Sequence, residues 1–269
     1  MKILDGRELA DFIKERQARQ VRALRQASLV FPKLAIIQTI DDPVIDTYVR
    51  LKKEYGEDML IDVAIHKIDQ KELMSTIESL NADLGVHGII IQLPLADDAD
   101  TSAAVNAVAP EKDVDGLGAN ATFTPATAMA IDWLLAGYNV ELKGKKITIV
   151  GNGRLVGAPL AKLWSTTGYD VTVCDSSTDN LGDVLRAANI VVTATGVPGL
   201  VTSQMLQPSA VVVDAGTAAE HGKIVGDLAA DVRERTDLTI TPEKGGVGPL
   251  TVTSLFDNVI QAAKATAKD

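Results

Sequence analysis

The sequence predicts an α/β protein with two halves, each organised around a mostly parallel β-sheet. Short apolar runs rich in β-branched residues alternate with segments of helical periodicity, which is typical of βαβ units. This alternation is interrupted near residues 118–140 and then begins again. A chain of 269 residues is long enough for two modest domains, so we expect one domain at residues 1–120 and a second at residues 139–249.

The first half contains both kinds of segment in alternation. Its apolar runs predict strands near Leu34–Ile40, Leu60–His66 and His87–Gln92. Its periodic segments predict helices near Gly6–Gln26, Pro43–Tyr55, Lys71–Asn81 and Thr101–Val108. An apolar segment that also reads as helix, Pro125–Leu135, separates this half from the next.

The second half is richer in strands. Its apolar runs predict them near Ile147–Val150, Val171–Cys174, Ile190–Ala194, Ala210–Asp214 and Leu238–Thr241. The last helical stretch, Leu250–Ala267, begins just after a proline, a residue that suits the first turn of a helix. Its pattern allows packing against either half.

Composition excludes several classes of protein. The net charge of −10 and the pI near 4.8 argue against binding nucleic acid through phosphate contacts. A single cysteine excludes a disulfide scaffold. The first residues lack the apolar core of a signal peptide, and the long uncharged stretch at residues 187–213 contains glycine and proline, so we expect a cytoplasmic protein that does not enter membranes.

A glycine-rich turn follows the first strand of the second half. Gly151, Gly153 and Gly157 lie between this strand and a predicted helix, where backbone amides can bind a pyrophosphate. By itself this turn also fits a strand–helix connection that binds nothing. Asp175 ends the next strand, 24 residues after Gly151, where a carboxylate can accept hydrogen bonds from ribose hydroxyls. The two features together predict a dinucleotide site.

Asp175 also bears on which dinucleotide binds. A carboxylate at this position repels the 2′-phosphate of NADP, so it favours NAD over NADP. The positively charged Arg154 and Lys162, in the helix that follows the glycine turn, argue in the opposite direction, for NADP.

Three patterns in the first half carry polar side chains suited to chemistry. Tyr48 and Lys52 are four residues apart in a predicted helix and project from one face. Gln92 ends an isoleucine-rich strand, and the turn at residues 112–116 has the sequence Lys-Asp-Val-Asp-Gly. Each pattern by itself also fits a structural role. Tyr48 and Lys52 could be an exposed pair, Gln92 could cap the next turn, and residues 112–116 could be a solvated turn.

Taken in order, six motifs resemble those of the bifunctional methylenetetrahydrofolate dehydrogenase/cyclohydrolase family. In this chain they are Asp42-Pro43 with Tyr48-Val49-x-x-Lys52, Gly88-Ile-Ile-Ile-Gln92-Leu93-Pro94-Leu95, Pro110-Glu111-Lys112-Asp113-Val114-Asp115-Gly116, Thr124-Pro125, Gly151 with Val156-Gly157-x-Pro159, and Thr241-Pro242-x-x-Gly245-Gly246-Val247-Gly248-Pro249-Leu250-Thr251. They extend over nearly the whole chain.

This resemblance implies a folate-binding N-terminal α/β domain, a Rossmann-type dinucleotide-binding domain and an active site in the cleft between them. It implies that the C-terminal helix, residues 250–269, packs on the N-terminal domain, and that the protein is a homodimer. The implied activity, in one-carbon metabolism, is oxidation of 5,10-methylenetetrahydrofolate with NAD or NADP, followed by hydrolysis of the methenyl product to 10-formyltetrahydrofolate.

The resemblance also implies roles for individual residues. Lys52 is the central catalytic residue, with Gln92, Tyr48 and Asp115, and Asp115 binds the pterin ring. The implied folate-binding set is Tyr48, Lys52, Gln92, Leu93, Pro94, Asp115, Gly246 and Pro249. The expected dinucleotide-binding set is Gly151, Asn152, Gly153, Arg154, Val156, Gly157, Asp175, Ser176, Thr195, Gly196, Gly216, Gly245 and Gly246.

The chain departs from the family pattern at several places. Val44-Ile45 replaces an Ala-Ser pair beside the folate site. Asn152-Gly153 replaces a polar pair, commonly Arg-Ser, that serves the NADP phosphate, and Asp175 replaces a common histidine. These replacements agree with a preference for NAD.

Two other functions stay open at this point. One is a different two-domain NAD(P) oxidoreductase that acts on an amino acid or a shikimate-like acid. The other is a dinucleotide-binding protein without catalysis. His66, His87 and His221 form no pattern with metal-ligand spacing, so we expect no metal.

Overall fold

The computed structural model describes residues 1–220 and 223–267, and the chain divides into two compact units. The six-stranded unit comprises Met1–Ala10 and Thr127–Thr251, and the three-stranded unit comprises Asp11–Ala126 and Val252–Asp269. Both units contain parallel strands with helices, as the sequence predicts. The expected domain boundaries, 1–120 and 139–249, stay a prediction, and His221 lies outside the described residues.

The strands, in chain order, are β1 (Lys2–Ile3), β2 (Lys33–Gln38), β3 (Asp62–Lys67), β4 (Gly88–Ile91), β5 (Lys146–Val150), β6 (Asp170–Cys174), β7 (Ile190–Thr193), β8 (Val211–Asp214), β9 (Ala218–Glu220), β10 (Lys223–Val225) and β11 (Thr239–Ile240). The α-helices are α1 (Gly6–Ala27), α2 (Pro43–Asp58), α3 (Leu73–Ala82), α4 (Thr101–Ala107), α5 (Ala126–Gly137), α6 (Gly157–Thr166), α7 (Leu181–Ala187), α8 (Ala230–Arg233) and α9 (Val247–Ala265). None of the helices within the described residues is long and apolar enough to cross a membrane.

The three-stranded unit has β2 at its centre, with β3 and β4 parallel on either side. Leu34 and Ile36 of β2 pack with apolar residues of α1, α2 and α9. Ala35 and Ile37, which point to the other face, pack with residues of α3 and α4. Because β2 is covered on both faces, its sequence is continuously apolar rather than alternating.

The six-stranded sheet has the order β1-β11-β8-β7-β5-β6, and all of its pairings are parallel. The chain leaves β5 for β6 on one side and then returns to β7 on the other side of β5. Such a reversal leaves a crevice at the carboxyl ends of the two strands, where open α/β sheets bind their ligands. The loops that follow β5 and β7 therefore lie next to each other.

Several elements differ from the sequence-based expectation, among them β3, α9 and β1. Strand β3 begins at Asp62, because α2 continues to Asp58 and Leu60 then adopts φ +59° in the turn. Helix α9 begins at Val247, three residues before the expected start, with Pro249 in its first turn, where no N–H is needed. Strand β1 was not expected, because its two residues carry no periodicity and are held by pairing with β11.

Candidate active site

Helix α2 carries Tyr48 and Lys52 one turn apart. Its start is fixed by Asp42, whose carboxylate accepts hydrogen bonds from the N–H groups of Val44 and Ile45 at 2.8 and 3.1 Å. Ile45 is buried in the apolar cluster that contains β2 and α9. Both candidate side chains are half-buried, and burial raises the pKa of the Tyr48 hydroxyl.

Lys52 and Gln92 are in direct contact. The Lys52 Nζ donates a hydrogen bond to Gln92 Oε1 at 2.7 Å, and Gln92 Nε2 donates to the carbonyl of Leu93 at 3.1 Å. Gln92 follows β4, and its N–H bonds to the carbonyl of Ile37 in the central strand. Burial lowers the pKa of Lys52, and the nearby charge of Asp115 opposes that shift.

In the turn at residues 112–116, two of the charged side chains make structural hydrogen bonds and the third lies at the candidate site. The Lys112 ammonium donates to the carbonyls of Leu80, Asn81 and Asp83, which end α3. The Asp113 carboxylate accepts hydrogen bonds from the N–H groups of Gly116 and Gly118 at 3.0 and 2.7 Å. Lys112 and Asp113 therefore build the turn, whereas Asp115 acts electrostatically on Lys52.

Asp115 and Lys52 influence each other electrostatically. Burial raises the pKa of Asp115, the positive charge of Lys52 lowers it, and the neighbouring carboxylate of Asp113 raises it. Burial thus disfavours the charged form of both partners, while each charge stabilises the other. Lys52, Gln92, Asp115 and Tyr48 all belong to the three-stranded unit.

Sequence reasoning did not identify Asn258 of α9. Its Nδ2 donates to the carbonyls of Val114 at 2.9 Å and Thr124 at 3.1 Å, and so joins two of the motif segments. One turn earlier, the Ser254 hydroxyl donates to the carbonyl of Ala126 at 2.6 Å. The sequence does contain a sign of this role, because Ser254 and Asn258 are polar residues four positions apart on the buried face of an apolar helix.

In the six-stranded unit, the glycine-rich turn follows β5. Gly151 adopts φ +105°, and a side chain there would overlap the carbonyl of Ala194, which follows β7. A side chain at Gly157 would overlap the carbonyl of Gly151, whereas a Cβ at Gly153 would meet nothing within 4 Å. Gly151 and Gly157 are therefore required by backbone packing, and Gly153 leaves room for an approaching ligand.

Helix α6 starts directly after this turn. No side chain among the described residues caps it at Val156. The Ala158 N–H donates to the carbonyl of Gly153 at 3.1 Å and Pro159 has no N–H, so in the first turn Gly157 is the residue whose N–H can serve an anion. Asn152 and Arg154 are exposed on the turn. Together with the open space at Gly153, this arrangement fits a pyrophosphate.

Asp175 lies beside that turn, because β6 pairs with β5 and the Gly151 N–H donates to the carbonyl of Cys174 at 2.7 Å. Its Oδ1 accepts hydrogen bonds from the Ser177 hydroxyl at 2.6 Å and from the Ser177 N–H at 2.9 Å. These bonds lower the pKa of Asp175, so the exposed side chain is ionised at neutral pH. Ser176, in the same turn, is also exposed.

The remaining candidate residues lie in three other loops of the six-stranded unit. Thr195 and Gly196 follow β7, and Gly216 follows β8. The carbonyl of Gly245 accepts hydrogen bonds from the N–H groups of Gly6 and Arg7 at 2.9 and 3.1 Å, which ties the Gly245–Gly246 loop to the start of α1.

The histidines contribute no metal site that the described residues reveal. The ring Nδ1 of His87 accepts a hydrogen bond from the N–H of Lys33 at 3.2 Å. In residues 1–220 and 223–267 there is no group of three or more His, Cys, Asp or Glu side chains that could hold a metal ion.

Comparison with known proteins identifies the family. Residues 4–115 match the model of the tetrahydrofolate dehydrogenase/cyclohydrolase catalytic domain, and residues 125–267 match that of the NAD(P)-binding domain of the same family. The bifunctional protein FolD of Exiguobacterium sibiricum is 37% identical in an alignment of 275 positions that covers 97% of this chain and 99% of the relative.

Solved structures agree. The bifunctional enzyme FolD from Campylobacter jejuni has a TM-score of 0.93 at 33% identity, with 98% of this chain and 99% of that chain covered. The Trypanosoma brucei enzyme, solved with NADP and an inhibitor, has a TM-score of 0.91 at 33% identity and covers 98% and 97% of the two chains. The chain therefore belongs to the tetrahydrofolate dehydrogenase/cyclohydrolase family.

Proposed function

We propose that this protein oxidises 5,10-methylenetetrahydrofolate with a nicotinamide dinucleotide and then hydrolyses the methenyl product to 10-formyltetrahydrofolate. The observation that carries the proposal is the contact of Lys52 with Gln92 beside Asp115. Membership of the bifunctional family over both of its domains supports the same reaction sequence. A different oxidoreductase or a protein without catalysis has no comparable observation in its favour.

In the oxidation step the protein acts mainly by positioning. Asp115 accepts parallel hydrogen bonds from the N–H and amino groups of the pterin, and the hydroxyl of Tyr48 and the Leu93–Pro94 segment line the same site. The bound dinucleotide supplies the acceptor for the hydride. Correct orientation of two rings is sufficient for such a transfer, so this step needs no acid or base from the chain.

In the hydrolytic step Lys52 moves a proton. Its lowered pKa increases the fraction of neutral amine at a given pH, and Gln92 Oε1 holds that amine through one of its N–H groups. As water adds to the methenyl carbon, the amine accepts the proton that the water loses. The resulting ammonium returns this proton to the ring nitrogen as the carbon–nitrogen bond breaks, and the hydroxyl on the same carbon loses its proton to water as the formyl C=O bond forms.

We further propose that the dinucleotide is NAD rather than NADP. The ionised carboxylate of Asp175, oriented by Ser177, accepts hydrogen bonds from ribose hydroxyls and repels a 2′-phosphate. Residues 152–153 carry no positive charge that would offset the repulsion.

We also propose a homodimer that works in the cytoplasm, as the family resemblance implies. In support, the edge strand β6 exposes Val173 and Thr172. Light scattering on the purified protein tests the assembly, and a mass of one chain at micromolar concentration would exclude it.

The experiment for the reaction is a spectrophotometric assay with 5,10-methylenetetrahydrofolate and either NAD or NADP. Reduced nicotinamide and the methenyl compound are followed separately. We expect turnover with NAD and decay of added methenyl compound faster than in buffer. Dinucleotide binding without turnover of either compound would contradict the proposed reaction and favour the protein without catalysis.

A further inference from the structure

Asp227 is a buried carboxylate to which sequence reasoning gave no role. It follows β10, and its side chain is 0% exposed. Its Oδ2 accepts a hydrogen bond from the Thr195 N–H at 2.7 Å, and its Oδ1 has no hydrogen-bond partner among the residues that the structure describes. Burying a carboxylate with one oxygen unsatisfied is costly, so a compensating role is expected.

Asp227 is interlocked with Asp214, the last residue of β8. Asp214 Oδ1 accepts hydrogen bonds from the N–H groups of Asp227 at 3.0 Å and Gly216 at 3.2 Å. Asp214 Oδ2 accepts one from the guanidinium of Arg233 at 3.1 Å. Arg233 thus provides positive charge beside Asp214, whereas Asp227 is held by a backbone N–H.

The position of Gly216 has no room for a side chain, because the Asp227 carboxylate lies against it. A Cβ at this position would overlap the Asp227 carboxylate, and a Cβ at Gly226 would likewise overlap the carboxylate of Asp214. The resemblance to the family suggested that Gly216 faces the dinucleotide. In the structure, the close approach of the Asp227 carboxylate is what excludes any larger residue at position 216.

These contacts place one carboxylate between two loops. Thr195 follows β7 and Gly216 follows β8, both at the carboxyl edge of the sheet. The residue before Thr195 presents its carbonyl to Gly151, so the same edge includes the glycine-rich turn. Movement of Asp227 would release the Thr195 N–H and leave a gap beside Gly216.

We propose that Asp227 is a positioning residue for the dinucleotide, which holds the Thr195–Gly196 backbone and the Gly216 loop in the conformation that binds it. This inference rests on the proposed function, a dinucleotide-dependent oxidation, for which Thr195, Gly196 and Gly216 belong to the expected dinucleotide-binding set. Burial raises the pKa of Asp227, its hydrogen bond from Thr195 lowers it, and the charge of Asp214 raises it. The Thr195 bond requires only an acceptor oxygen, which an amide also supplies.

The test compares Asp227→Ala and Asp227→Asn with a matched control, Asp231→Ala. Asp231 lies on α8, where its carboxylate accepts bonds from the N–H and hydroxyl of Ser203 at 3.1 and 2.7 Å, so it also ties down a loop. NADH binding is measured by fluorescence titration, together with the dehydrogenase KM for the dinucleotide. Hydrolysis of added methenyltetrahydrofolate, which needs no dinucleotide, is measured on the same samples.

For Asp227→Ala we expect Kd and KM for the dinucleotide to rise about tenfold or more, with the hydrolytic rate within about twofold of wild type. Asp227→Asn should restore binding to within about threefold, and Asp231→Ala should leave it unchanged. Wild-type NADH affinity in Asp227→Ala, or equal losses of binding and hydrolysis, would overturn the inference.

A second measurement decides the case if Asp227→Ala does not fold. Hydrogen exchange of the wild-type Thr195 amide is expected to be slow even without dinucleotide, because Asp227 already holds it, and fast exchange would contradict the positioning role. Failure of the proposed function is seen separately, since a wild type that binds NADH but does not turn over folate leaves the binding test intact.

Discussion

The ammonium of Lys52 lies 2.7 Å from the amide oxygen of Gln92, and the amide nitrogen of Gln92 donates a hydrogen bond to the carbonyl of Leu93. The amide is therefore held in one orientation, with its oxygen toward the amine. Because a neutral amine still has N–H groups to donate, this contact survives loss of the proton. Gln92 can thus hold Lys52 in both protonation states.

Lys52→Met removes the amine and keeps most of the apolar stem. We expect hydrolysis of methenyltetrahydrofolate to fall about 100-fold or more, the usual size of a general acid–base contribution. The oxidation should fall less, because hydride transfer needs no proton from the chain. The neighbouring Lys53, which is half-exposed and lies 3.9 Å from Glu57, is the matched control as Lys53→Met. Equal activity of Lys52→Met and wild type would exclude the mechanism.

Asp115→Asn tests the electrostatic coupling. The negative charge of Asp115 raises the pKa of Lys52 against the effect of burial, so removing that charge lowers the pKa further. The hydrolytic rate rises with pH as the amine loses its proton, and we expect this rise to move to lower pH in the variant. The profile is measured at saturating folate, with the exposed Glu111 as a control in Glu111→Gln. A shift to higher pH would contradict the coupling.

Asp175→Ala removes the charge that we propose repels a 2′-phosphate. We expect the ratio of kcat/KM for NAD to that for NADP to decrease about tenfold or more, mainly through a lower KM for NADP. Steady-state kinetics with both dinucleotides measure the ratio, and Asp179→Ala, which removes an exposed carboxylate nearby, should leave it unchanged. An unaltered ratio in Asp175→Ala would show that other residues select the dinucleotide.

Asn258→Ala leaves the carbonyls of Val114 and Thr124 without their donor. Loss of a partner to buried polar groups costs about 1–3 kcal/mol, so we expect the free energy of unfolding to decrease by that amount. Urea unfolding of the variant and of Gln261→Ala, an exposed position on the same helix, provides the measurement. The KM for folate should also rise, because Asn258 supports the turn that carries Asp115. Stability equal to that of the control would refute this assignment.

Local patterns were sufficient for most of the fold and for the family. The apolar run that became β2 is continuous because both faces are covered, and this signal is present in the residues themselves. The glycine spacing and Asp175 likewise predicted a strand–turn–helix followed by a strand ending in a carboxylate, which is the observed order. The motifs placed Lys52, Gln92 and Asp115 in one site before their contacts were known.

The sequence by itself determined the α/β class and the order of the main strands and helices, and it predicted the candidate chemistry-bearing residues, because periodicity and motif spacing are local properties. The tertiary structure alone decided that Asp113 builds its turn while the charge of Asp115 acts on Lys52, and that Asp227 accepts the Thr195 N–H and lies against Gly216. Asp113 bonds to N–H groups only three and five positions away, whereas Asp227 and Thr195 lie 32 positions apart and Asp115 acts on Lys52 of helix α2. No local pattern records which of two nearby carboxylates bonds to its own turn and which acts on a distant residue, so only the folded chain assigns them.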